Sequence, residues 1–178
     1  MRGKLYVVPS RSHVTCAASL AHHGLLGPVE RLRLFVVDLT SVPVKQLTSL
    51  VSCVTDDLFI RSVSGCDLTR VLEAVRCRNL FIDSQALGSE ETQALMWAME
   101  SSVEKLGLGQ DGDMTLDISV LVQYSGHGKC RWIKCYYETA ANYREKLRLW
   151  AESKHWKVSV DHASCIKING INSTTDQY

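Results

Sequence analysis

Short apolar segments recur along the chain at nearly even intervals. Seven of them have the composition of strand cores: Leu5-Tyr6-Val7, Leu32-Arg33-Leu34, Leu58-Phe59-Ile60, Leu80-Phe81-Ile82, Leu106-Gly107-Leu108, Ile133-Lys134-Cys135 and Val158-Ser159-Val160. Their first residues lie 27, 26, 22, 26, 27 and 25 positions apart. A period in the twenties is typical of a repeat with one strand and one helix or turn per unit, each unit burying its apolar face against its neighbours.

Segments with helical spacing lie between these cores. The clearest is predicted to begin at Ser89 as its N-cap, with Glu90 and Glu91 in the first turn, where carboxylates favour the positive helix end. Further helices are predicted over 13–23, closed by Gly24, and over 44–54, 68–75 and 140–151, whereas 116–124 is ambiguous. The alternation predicts an α/β fold with parallel strands on one edge and helices on the outer side. Residues 1–168 are predicted to form one domain of about seven units, followed by a disordered polar tail over 169–178.

Two segments give this repeat a family resemblance. Val29-x-x-Leu32-x-Leu34-x-x-Val37-x-Leu39 and Cys77-x-x-Leu80-x-Ile82-x-x-Gln85-x-Leu87 are similar to the leucine-rich-repeat pattern LxxLxLxxN/CxL, with Val37 and Gln85 in place of Asn or Cys. The layout resembles ribonuclease-inhibitor-like repeats and those of cytosolic nucleotide-binding immune receptors. The resemblance implies a curved solenoid. It also implies a non-catalytic protein-binding function, as a scaffold or ligand-sensing segment in innate immunity.

The exposed strand positions of such a fold supply its contacts, and by register nine residues are candidates for binding another protein. They are Arg33, Phe35, Phe59, Arg61, Phe81, Asp83, Lys105, Trp132 and Lys134. Aromatic and charged groups of this kind anchor interfaces. An alternative is that the aromatic members pack beneath a neighbouring helix. The ends of the stack, which lack an obvious polar cap, predict self-association or covering by another domain.

Composition and charge narrow the partners further. The formal charge of +1 gives no electrostatic reason to expect nucleic acid or an anionic membrane as partner. No segment approaches the eighteen or so apolar residues of a membrane helix, and seven scattered cysteines with no signal peptide favour a reduced, cytoplasmic location. Gly107-Leu108-Gly109-Gln110-Asp111-Gly112 satisfies the GxGxxG spacing, but Asp111 and Asp113 would oppose a pyrophosphate. We therefore expect no cofactor.

A cysteine protease is the alternative function. Tyr124-Ser125-Gly126-His127-Gly128 is similar to the segment that bears the catalytic histidine of metacaspases, which implies His127 as base and Cys165 as nucleophile. Ala163 stands where that family has an acidic residue, and Ile166-Lys167 follow the cysteine where it has His-Ser-Gly.

A zinc site would need His127, Cys130 and Cys135. The five-residue separation of the two cysteines puts their side chains on opposite faces of a strand, so no metal is predicted. Cys16, Cys53, Cys66 and Cys77 lie among apolar neighbours and are predicted to be small core residues.

Overall fold

The computed structural model describes residues 10–83, 86–109, 115–116, 128–130, 132–136, 145, 148–160 and 165–169. The helices are α1 (Arg11–His22), α2 (Val44–Ser52), α3 (Leu68–Glu73) and α4 (Ser89–Ser101). The strands are β1 (Val29–Asp38), β2 (Val54–Ser64), β3 (Asn79–Asp83), β4 (Ala86–Leu87), β5 (Lys105–Leu108), β6 (Thr115–Leu116), β7 (Trp132–Tyr136), β8 (Lys157–Val160) and β9 (Cys165–Asn169). Residues 148–153 are also helical.

Seven strands form one sheet in the order β1-β2-β3-β5-β7-β9-β8, and β4 pairs with β6 in a second, two-stranded sheet. The first five strands of the large sheet are parallel, whereas β9 runs antiparallel to both β7 and β8. In the parallel part of the sheet, each strand therefore lies beside the strand of this sheet that comes next along the chain. The strand order steps across the sheet in one direction. Because such crossovers take one hand, this stepping puts the connecting helices on one face.

The helices form a continuous layer in which α1 contacts α2, α2 contacts α3, and α3 contacts α4. Alternate strand residues point into this layer and form one apolar core with the helices. The strand residues of this core include Leu32, Leu34, Leu58, Ile60, Leu80, Ile82, Leu106, Leu108 and Ile133. The leucine and isoleucine positions of the recurring segments are thus one side of a helix-covered sheet.

The structure confirms the predicted α/β class and six of the seven strand cores, while Leu5-Tyr6-Val7 lies outside the described residues. Helix α1 is closed as expected by Gly24, whose φ is +69°. Helix α4 starts with Ser89 as its first residue, and Gly88 is the N-cap. The domain boundaries stay a prediction; Asn169 is the last residue of β9, and 170–178 lie outside the described part.

The predicted curved solenoid is wrong. The sheet is not curled, and the described chain shows no repeat architecture. A solenoid adds the same unit at each step. Here the seventh predicted strand, β8, is separated from β7 by the antiparallel β9. The chain therefore reverses at the end of the sheet instead of continuing a stack.

Candidate functional site

The face of the large sheet opposite the helices carries all nine of the predicted contact residues. Three rows cross it, because parallel registers place these positions side by side. The first row is Arg31, Asp57, Asn79, Lys105 and Trp132; the second is Arg33, Phe59, Phe81, Gly107 and Lys134; the third is Phe35, Arg61 and Asp83. We call these three rows the open face.

The solvent exposure of its side chains agrees with the name open face. Lys105 is exposed, and the other predicted contact residues whose side chains the structure describes are half-buried. None of them belongs to the apolar core. The side chain of Asp83 is outside the described part, so only its place in the third row is known. The rings of Phe35, Phe59 and Phe81 pack on one another. The alternative in which the aromatic residues pack beneath a neighbouring helix stays a prediction.

Phe59 and Phe81 form a stacked pair of rings in the second row, and we call this pair the aromatic ladder. The rings of Phe59 and Phe81 are stacked, with centroids 4.5 Å apart and planes 7° apart. The Arg33 guanidinium carbon lies 4.9 Å from the centroid of Phe59, within the range of a cation–π contact. Phe35 meets Phe59 edge to face, at 6.4 Å between centroids. Both sides of the Phe59 ring are therefore occupied by its neighbours in the row.

The ring of Phe81 packs over Gly107, where a side chain would leave no space for it. A Cβ atom built on Gly107 would collide with Cδ1 of Phe81, so the ring of Phe81 fills the space of the missing side chain. Gly107 itself is buried, although it lies on the open face. The GxGxxG spacing thus contains a glycine whose role is close packing beneath an aromatic ring; positions 110–112 of that motif lie outside the described residues.

A buried carboxylate holds the first row together. Asp57 is only 8% exposed, so its charge requires partners. Arg31 donates from Nε to Oδ2 of Asp57 at 2.7 Å and from Nη2 at 2.5 Å. Asn79 donates from Nδ2 to Oδ1 of Asp57 at 2.8 Å. The carboxylate therefore has partners on both oxygens, and the positive charge of Arg31 offsets its charge.

Two cations of the open face remain uncompensated. Among the residues that the structure describes, neither Arg33 nor Lys105 forms an ion pair. The Nε atom of Arg33 is shielded from solvent and has no hydrogen-bond partner. The face thus combines a fixed apolar ladder with positive charge that no described carboxylate neutralises.

The helix layer offers a groove of about 680 Å³ between α3 and α4, but three of the charged residues in its wall already have partners. The Asp67 carboxylate caps α3 by accepting from the Arg70 backbone N–H, and Arg70 pairs with Glu73 at 3.1 Å. Trp97 in its wall contacts Arg76, whose guanidinium carbon lies 4.8 Å from the ring centroid. The open face is therefore the stronger candidate site.

The cysteines do not form a reactive centre in the described part of the chain. Cys77 is fully buried and its Sγ donates to the carbonyl of Asn79, while burial raises the pKa of its thiol to about 12. Cys130 is buried in the same way, with Sγ directed to the carbonyl of Trp132. Cys53 and Cys66 are half-buried, and the expectation that Cys16 is a core residue is wrong because it is exposed.

The protease pair, His127 with Cys165, and the zinc set, His127 with Cys130 and Cys135, both depend on His127. His127 lies outside the described residues. Cys165 begins the antiparallel strand β9, where it pairs with Tyr136. In the described ranges, no group of three histidine, cysteine or acidic side chains could hold a metal ion. No helix among the same residues is long and apolar enough to cross a membrane.

No family model matches the chain, and no curated protein matches it. Among solved structures, a crystal structure of archaeal TYW1 is similar to it, with a TM-score of 0.42 and 12% sequence identity. The similarity covers 91% of this chain and 66% of that chain. A likeness at this TM-score carries no argument about function.

These findings correct the family and functional assignments. The leucine-rich-repeat assignment is wrong, because no model of that family matches and the sheet is not a solenoid. The assignment as a non-catalytic module of an innate-immune receptor rested on that repeat and is wrong with it, and the caspase-like alternative is contradicted as well. The prediction that the chain is not an enzyme is corrected with them, because it depended on the same repeat.

Proposed function

We propose that the open face binds an acidic polypeptide segment of another protein. The observation that carries the proposal is the aromatic ladder of Phe59 and Phe81, flanked by two cations without ion-pair partners among the described residues, Arg33 and Lys105. A ladder that is packed before a ligand arrives loses little side-chain entropy on binding. The surface is therefore organised in advance for contact.

The orientation of the rings favours polypeptide over nucleic acid. Proteins that bind single-stranded nucleic acid stack bases on free aromatic faces. On the open face, Arg33 and Phe81 occupy the two sides of Phe59, and Phe81 in turn leans over Gly107. The rings consequently present edges to a ligand. Aromatic edges carry partial positive charge, so they suit the carbonyl oxygens of a polypeptide backbone.

The charges favour an acidic segment over a basic one. Arg31 and Asn79 already satisfy Asp57, the carboxylate of the first row. Arg33 and Lys105 then contribute the uncompensated charge of the first two rows. Complementary charge brings a partner into register and suppresses partners of the same sign.

Fluorescence anisotropy with a labelled ten-residue peptide rich in glutamate and valine tests the proposal. A peptide with lysine in place of glutamate, and a thymidine oligonucleotide, are the comparison ligands. We expect the acidic peptide to bind more tightly than either, with an affinity that falls as salt is added. The double variant Arg33→Gln with Lys105→Gln should weaken binding by about tenfold, or about 1.4 kcal/mol.

Lys45→Gln is the matched control, because Lys45 is exposed on α2 in the helix layer. Its removal changes the net charge of the protein but leaves the open face intact. Equal losses in the control and in the open-face variant would reduce the interaction to net charge and overturn the proposal. Preferential binding of the oligonucleotide would overturn it as well.

A further inference from the structure

We infer that the bound segment is extended and carries two carboxylates four residues apart, with an apolar side chain midway between them. This inference rests on the proposed function and specifies the chemistry of its ligand. The argument starts from the separation of the two cations. Arg33 lies on β1 and Lys105 lies on β5, three strands away in the sheet and one row apart.

The sheet geometry converts this placement into a distance. Three strand spacings amount to about 14 Å, and one row, or two residues along a strand, adds about 7 Å at right angles. The two Cα positions are therefore about 16 Å apart. An extended ligand rises about 3.3 Å per residue, so a separation of four residues covers about 13 Å. The long, exposed side chain of Lys105 closes the remaining gap.

An even separation is required because side chains of an extended segment alternate between its two sides. Residues i, i+2 and i+4 of the ligand then face the sheet together. Residue i+2 lies over the centre of the open face, where the Phe59 and Phe81 rings present apolar surface. A carboxylate at that position would lie over these rings and beside the already paired Asp57, away from Arg33 and Lys105. The preferred pattern is thus acidic, any, apolar, any, acidic.

The same distance argues against a helical segment of this pattern. In a helix, carboxylates four residues apart are about 6 Å apart, which is too short to reach both cations. A helix would need a separation of about eleven residues to span the same distance at 1.5 Å per residue. The spacing of the acidic residues therefore reports the conformation of the ligand.

A series of labelled ten-residue peptides tests the inference. Each carries two glutamates, separated by two, three, four, six or eight positions, in a background of glycine and serine with one valine between the acids. All members have the same charge. We expect an optimum at a separation of four, about fivefold tighter than at two or eight, because only that spacing lets both cations contribute within one complex.

Variants of the protein complete the test. Lys105→Gln should remove the optimum and leave a weak, spacing-independent interaction through Arg33, whereas Lys45→Gln should keep the optimum. Moving the valine so that a third glutamate occupies the central position should weaken binding.

The outcomes separate the two proposals. Acidic peptides that bind with equal affinity at every spacing, and lose it with Arg33→Gln, would overturn the spacing inference and leave the acidic binding surface in place. An optimum at eight or more residues would overturn the extended conformation. Failure of every acidic peptide to bind the folded protein would overturn both.

Discussion

Substitution of Gly107 by alanine tests the aromatic ladder directly. The backbone conformation at position 107 does not require glycine, because among the described glycines only Gly24, Gly65 and Gly109 have a positive φ. In an unstrained backbone, alanine in place of glycine usually stabilises by about 0.4–1 kcal/mol, because it restricts the unfolded chain. At Gly107 the added methyl group would collide with the ring of Phe81, which is held against Phe59. Because of this collision, we expect Gly107→Ala to lower the free energy of unfolding.

The magnitude follows from overpacking. Forcing an added methyl group into a packed site costs about 1–3 kcal/mol. For a protein of this size, each kilocalorie lowers Tm by about 2–4 °C, so Gly107→Ala should lower Tm by about 2–12 °C. Urea unfolding followed by circular dichroism measures the free energy, and the fluorescence of the labelled acidic peptide measures binding.

Gly27→Ala is the matched control, because a Cβ at Gly27 would meet nothing within 4 Å and its φ is not positive. It should leave stability unchanged or slightly raised. The double variant Gly107→Ala with Phe81→Ala should recover part of the loss expected from the sum, since removing the ring removes the collision. Equal stability of the Gly107 and Gly27 variants would show that Phe81 does not fill this space, and the ladder argument would fail.

The further predictions concern buried and strained positions, centred on Cys77, Gly65 and Asp57. Because burial raises the pKa of Cys77 from 9.0 to about 12, its thiol should be alkylated far more slowly at pH 8 than that of exposed Cys16, as measured by mass spectrometry. The raised pKa also means that stability is lost as pH rises from about 9 to 12, and this loss should be smaller in Cys77→Ala. Gly65→Ala should cost about 1–3 kcal/mol in urea unfolding, because its φ of +69° is joined by a collision with a threonine hydroxyl, whereas Gly24→Ala, with the same φ and open space, should cost less. Asp57→Ala should cost about 1–3 kcal/mol and Asp57→Asn less, since asparagine keeps an acceptor; equal costs would contradict the hydrogen-bonded row.

The apolar periodicity predicted the parallel part of the sheet because each strand core is a local signal. A triplet such as Leu80-Phe81-Ile82 buries its two aliphatic residues on one side and places the half-buried central ring on the other. The direction in which the last strands run was not predictable from the strand cores alone. It depends on the connection, and only four residues separate β8 from β9, which suits an antiparallel pair and is too short for a helical crossover.

Strand β9 had a sequence signal that the predictions did not use. Ile166 and Ile168 alternate with polar neighbours in Cys165–Asn169, the pattern of a half-buried strand. That pattern favours a strand over a nucleophile loop at Cys165. Even spacing of strand cores therefore predicts neighbouring strands, but it does not distinguish a solenoid from an open sheet that ends in an antiparallel pair.

The candidate site was predictable in its positions and not in its chemistry. Strand parity placed the nine contact residues on one face, since side chains alternate along each strand. The same parity puts Asp57 and Asn79 on that face, but their importance lies in a hydrogen-bonded contact across three strands, which parity alone does not give. Gly107 belongs to a strand core and to a GxGxxG spacing from which no cofactor was expected, and its role emerges only when the ring of Phe81 is placed over it.

One face of this sheet is aliphatic and buried, while the other is aromatic and charged, and this difference explains how the second face can stay open. Exposed ring faces would favour aggregation. In the second row, Arg33 covers one side of Phe59, Phe81 covers the other, and the ring of Phe81 settles over Gly107. The ladder thereby buries its own apolar area and leaves cations and ring edges toward solvent. A surface built this way attracts carboxylates, which is why an acidic segment is the partner that its physical chemistry favours.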